Sequence, residues 1–97
     1  MNLIIAPAAL AELQDAADFY AAHGGLNLAQ AFITEFERVA NLVQSNPLLG
    51  ATYQRKWHRY FLSKFPFTLV YQIRADELVI LAVAHNRRRP GYWKKRR

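Results

Sequence analysis

The sequence predicts an α+β domain: an N-terminal strand, an antiparallel helical hairpin, then a three-stranded antiparallel meander. Three observations carry that prediction. Residues 8–43 place their apolar side chains at helical spacing, and residues 57–84 group them in short aromatic and β-branched runs. The chain of 97 residues, 53% hydrophobic, is long enough for one core and too short for two, so residues 1–97 are expected to form a single domain.

Residues 2–6 are a short apolar run closed by Pro7 and read as the first strand. Pro7 opens a helix, in which Leu10, Leu13, Ala17 and Tyr20 form an apolar stripe that Gly24 and Gly25 bring to an end. Glu12, Asp15 and Asp18 lie outside that stripe and read as a solvated helix face, available to a basic segment of a partner. A second helix is expected from Asn27, where Asn27 and Gln30 have the spacing of a capping box. Its stripe runs through Ala29, Phe32, Phe36, Val39 and Val43, and Ser45, Asn46 and Pro47 end it. The few residues between the helices require an antiparallel hairpin.

After a loop through Pro47 and Gly50, residues 57–62, 67–73 and 78–84 read as strands joined by turns short enough for hairpins. The last run is apolar at every position, as expected of a strand covered on both faces. Two helices cover only one face of a sheet. The other is left to Tyr92 and Trp93 or to a partner, and residues 94–97 are expected to be disordered.

Charge is distributed unevenly. Residues 1–54 carry one basic residue, Arg38, against five acidic ones, a formal −4, whereas residues 55–97 carry twelve basic residues against Asp76 and Glu77, a formal +10. Such a molecule attracts an acidic protein or a nucleic acid to its basic half. With no cysteine there is no disulfide framework and no thiolate metal site, which suits a reducing cytoplasm. No run has the length of a membrane span or the pattern of a signal peptide.

Phe65-Pro66-Phe67-Thr68-Leu69-Val70-Tyr71 resembles the turn-and-strand segment of the ParE/RelE toxin superfamily, with Phe67 in place of a usual tyrosine. The segment from Val83 to Trp93, with His85, Asn86, three arginines, Pro90 and Gly91, resembles the strand end of ParE-like plasmid stabilisation proteins. The resemblance implies a RelE/ParE-like fold and the toxin of a type II toxin-antitoxin system, held in a hetero-oligomer by a cognate antitoxin. ParE-like members poison DNA gyrase. RelE-like members instead cut messenger RNA on the ribosome, and a third reading is a non-toxic relative that binds its antitoxin and co-represses their operator.

Metal-free RNA cleavage needs a base, cations for the phosphorane and an acid. His58, His85, Arg87 and Tyr92 supply the residue types, although His58 and Arg59, being adjacent on a strand, must point to opposite faces. His85 can alternatively hydrogen-bond the following turn. Arg55, Arg59, Arg87, Arg88, Arg89, Tyr92 and Trp93 are the candidates for contact with gyrase or antitoxin, or with RNA in the ribosomal reading. Trp93 can equally plug the core. No glycine-rich phosphate loop, dinucleotide fingerprint, zinc motif or nucleophile elbow is present, so no cofactor or metal is expected. The preferred expectation is a gyrase-binding toxin that is not itself an enzyme.

Overall fold

A computed structural model of the chain describes residues 1–96. The elements are β1 (Asn2–Ile5), α1 (Pro7–Gly24), α2 (Leu26–Ser45), β2 (Ala51–Tyr53), β3 (Trp57–Phe61), β4 (Phe67–Arg74) and β5 (Glu77–His85). The strands form one sheet in the order β1-β5-β4-β3-β2. The meander β3-β4-β5 is antiparallel, β1 runs parallel to β5 from Asn2 opposite Glu77 to Ile5 opposite Ile80, and the helical hairpin packs on one face. The predicted α+β layout is thus the observed one. The addition is β2, in a stretch read as loop: three residues are too few to display alternation, yet they pair with β3 at the sheet edge.

Gly25 alone separates the helices, with φ at +87°, a conformation open to glycine because it has no Cβ. That corrects the expected capping box. With α2 already under way at Leu26, Asn27 lies inside the helix, no side chain caps it, and Gln30 donates instead to the Thr34 hydroxyl at 3.3 Å. On the covered face, Phe32, Phe36, Val39 and Val43 of α2 bury against Leu69, Tyr71 and Ile80 of the sheet. Glu35, just outside this stripe, accepts from Arg38 Nε and Nη2 at 2.7 and 2.8 Å and from the Ser63 N–H at 2.6 Å, tying α2 to the β3-β4 turn. The Arg38 hydrogen bond chiefly holds its carboxyl below the usual glutamate range.

The opposite face has its own core, and a β-bulge builds it. Val70 pairs with Ala82 while the next residue, Tyr71, pairs with Ile80, leaving Leu81 as an extra residue of β5. Leu81 and Ala82 therefore join Val79 and Ala84 on the helix-free side, packed with Val70, Trp57 and Trp93. The cover left open by the sequence is supplied largely by the chain's own tail, in which Trp93 is 3% exposed. Residues 94–96, expected to be disordered, are placed in a turn that returns Arg96 to α1; residue 97 of the same expectation lies outside the described residues.

Two local features set stability. The buried Tyr71 hydroxyl donates to Pro47 O at 2.7 Å and accepts the Gly50 N–H at 2.9 Å, clamping the loop after α2 to the sheet. Tyr71→Phe leaves both groups without that partner and is expected to cost about 1–3 kcal/mol, read as a lower chemical-denaturation midpoint. Ala75, in the two-residue turn between Arg74 and Glu77, has φ at +52°. Ala75→Gly is expected to add about 0.5–1 kcal/mol by relieving that left-handed conformation, raising the melting temperature by several degrees.

Candidate functional site

β1 ends opposite Ile80, so the outer edge of β5 beyond that point has no strand beside it. Side chains take the strand's place. Glu12, from α1, accepts the Val83 N–H at 3.0 Å, and Arg96 donates to Leu81 O at 3.1 Å. The same two residues pair with each other at 2.7 and 3.1 Å, and the Tyr92 hydroxyl donates to Glu12 at 2.6 Å. One carboxylate thus joins helix, sheet edge and tail. Burial first, and then donation to Glu12, push the Tyr92 hydroxyl well above the ordinary tyrosine range, so it stays protonated at any physiological pH.

Beside this knot, on the helix-free face, lies a cleft of about 220 Å³. Val70 and Ala84 contribute to its lining together with Arg59, Phe61, Arg88 and Trp93. Arg59 projects from β3 with its guanidinium over the Tyr53 ring at 4.4 Å, and Arg88 sits over the Tyr92 ring at 3.9 Å. Stacking of this kind holds a planar cation in one orientation. Both the Arg59 Nε and the Trp93 indole N–H are buried without a hydrogen-bond partner.

The nuclease candidates are only partly brought together: His85 and Tyr92 both line the cleft, whereas His58 stands apart from them. His58 stacks on Tyr71 with centroids 5.0 Å apart and bonds Gly50 O at 3.1 Å, under the helix side of the sheet, while Arg59 faces the other way as strand alternation requires. Tyr71 also pairs with Ile80, and Phe67 pairs with His85, so the two histidines stand about 13 Å apart along the strands and about 10 Å across them. His85 accepts the Arg87 N–H through Nδ1 at 3.1 Å, ordering the turn. Tyr92 is committed to Glu12.

Of the predicted contact residues, Arg87, Arg88 and Arg89 are exposed on that turn, and Arg55 is exposed on the β2-β3 turn with φ at +64°. Trp93 takes the core-plug alternative in this chain: it is buried, with its ring tilted against that of Tyr53 at 5.5 Å between centroids. Glu12 is the residue that sequence reasoning missed, corrected from solvated face to hub. The sequence shows only that Glu12 lies three residues after Ala9 and four before Ala16; the burial of those two alanines, with Leu10 exposed, turns that side of the helix to the sheet. Phe61, 66% exposed at the lip of the cleft, and Arg96 were also not singled out.

Over residues 3–90 the chain matches the family described as the ParE toxin of the type II toxin-antitoxin system parDE. A solved structure titled the chromosomal ParDE TA system from P. aeruginosa superposes with a TM-score of 0.79 at 20% sequence identity, covering 88% of this chain and 95% of that one. No curated protein matches. The family match ends before Tyr92 and Arg96. Among the described residues no helix is long and apolar enough to cross a membrane.

Glu12→Ala removes the acceptor of Val83, Tyr92 and Arg96 together and is expected to cost about 2 kcal/mol, with faster exchange of the Val83 amide proton. Glu12→Gln, which keeps an acceptor oxygen, should lose less. The pH dependence follows from Tyr92: its folded form holds the proton more tightly than the unfolded chain, so this contribution is complete below about pH 10 and is lost as pH rises further. Tyr92→Phe is expected to flatten that alkaline loss in pH-dependent denaturation.

Proposed function

The chain belongs to the ParE toxin family of type II toxin-antitoxin systems, and from that premise we propose that it binds and poisons DNA gyrase as a protein ligand and is neutralised by a cognate antitoxin. What favours a protein ligand over a ribosome-dependent nuclease is the fate of the candidate acid-base groups. His58 and His85 stand at different ends of the sheet, and Tyr92 keeps its proton against Glu12. General acid-base catalysis needs its groups within hydrogen-bond reach of one reacting centre. The exposed arginines of the turn after β5 are instead disposed like the rim and anchors of a protein interface.

The antitoxin has a natural seat on the other side of the molecule. Leu28, Ala31 and Thr34 of α2 face Phe65 and Lys64 of the β3-β4 turn across an open groove of about 760 Å³, and Leu26 beside it is 80% exposed. An exposed apolar stripe rimmed by charge marks such a surface. Occupation of this groove in a toxin-antitoxin complex leaves the basic half of the toxin to be screened by the acidic residues of the same partner.

The purified chain is expected to inhibit supercoiling of relaxed plasmid by gyrase and to accumulate cleaved DNA; untouched supercoiling and cleavage would overturn the reading. Arg87→Glu with Arg89→Glu should weaken inhibition roughly tenfold or more without lowering the melting temperature, because neither residue is buried. In cells induced for this chain alone, DNA synthesis should fall before protein synthesis. Translation falling first would favour the nuclease, and uninterrupted growth the non-toxic co-repressor. The product of the adjacent gene should raise the chain's melting temperature, by the equivalent of about 4 kcal/mol at a thousand times its Kd.

A further inference from the structure

The cleft on the helix-free face contains a chemical imbalance. Arg59 and Arg88 bring two cations to it, yet among the described residues neither pairs with a carboxylate. The Arg59 Nε is buried with no partner, and the Trp93 indole N–H, on a side chain 97% buried, also has none. Both orphaned groups are donors. A buried donor left unmade costs free energy comparable to a lost hydrogen bond, and beside two guanidiniums without a carboxylate an anionic acceptor meets both the donors and the charge.

We infer that this cleft is a carboxylate-binding subsite that takes one aspartate or glutamate side chain from a protein partner. The two guanidiniums are already oriented, Arg59 by the Tyr53 ring and Arg88 by the Tyr92 ring that Glu12 holds in place, so little side-chain freedom remains to be lost on binding. Planar guanidinium matches a carboxylate with two parallel hydrogen bonds. Phe61, Val70, Ala84 and Pro90 give the cleft an apolar lining suited to the methylene groups behind that carboxylate, and the Phe61 ring at the lip limits water access to the ion pair. At about 220 Å³ the cleft is below the size usual for a small organic ligand, about 300 Å³ and upward, which favours a single side chain over a nucleotide with its sugar and base. Glu12 therefore acts here as a positioning residue, through Tyr92 on Arg88.

The inference rests on the protein-ligand reading for the source of the carboxylate, but its test involves neither gyrase nor growth arrest. The full chain, labelled with nitrogen-15, is titrated with N-acetyl-glutamate methylamide while the Arg59 Nε–H and Trp93 indole N–H resonances are followed. Both should shift and saturate together, and the glutamine analogue should leave them in place. Arg88→Gln, an exposed change that preserves the fold, should weaken the binding about tenfold, as loss of a charged hydrogen bond implies, while Arg74→Gln at the far end of β4 should not. Glu12→Gln should weaken binding less than Arg88→Gln. Inorganic phosphate or adenosine monophosphate saturating the same two resonances at lower concentration than the glutamate compound would overturn the assignment in favour of a nucleic-acid phosphate. Equal shifts with the glutamine analogue, or none with any probe, would overturn it outright. A positive titration with inactive gyrase assays would leave the subsite standing and remove the proposed target.

Discussion

Much of this structure hangs on the Glu12 carboxylate. A strand edge without a neighbour presents N–H and C=O groups that must be satisfied or left to pair with another chain. β5 meets that condition beyond Ile80, where β1 has ended, and Glu12 and Arg96 supply one acceptor and one donor to the exposed edge. The ion pair thereby blunts the edge and draws the C-terminal turn over the sheet. Tyr92, fixed by the same carboxylate, supports Arg88, and so a helix residue far away in sequence determines how a basic side chain is presented on the opposite face.

The second constraint is that one sheet carries two cores. The helical hairpin covers one face with Phe32, Phe36, Val39 and Val43, while the bulge at Leu81 turns additional apolar area to the other, where Trp57 and Trp93 lie over it. This division explains why β5 is apolar throughout. It also separates tasks: the helix side stabilises the fold and offers the groove along α2, whereas the tail side holds the cleft and the exposed arginines.

Charge asymmetry acquires a different meaning once the chain is folded. The acidic residues of the first half do not form one neutralising patch, since Glu12 is used by the tail and Glu35 by Arg38 and the β3-β4 turn. Among the described residues Arg59 and Arg88 have no such partner, so two guanidiniums without a carboxylate line the cleft even though the chain contains acids that could have paired with them. A formal charge count along the sequence identifies a basic half. Which cations remain available depends on which carboxylates have been used internally.

The sequence by itself determined the α+β class, the order of strand, hairpin and meander, and the parity that puts His58 and Arg59 on opposite faces, because those follow from local periodicity, turn residues and the two-residue repeat of a strand. It also contained the family's strand-end segment. Tertiary structure alone decided that Ala51 to Tyr53 would pair as β2, that Gly25 rather than Asn27 would open the second helix, and that Trp93 would be core. It decided too that Glu12, Tyr92 and Arg96 would share one hydrogen-bonding site and that the histidines would not meet. Those outcomes depend on the register of strands and on contacts across some eighty residues, and a pattern read in a local window carries neither.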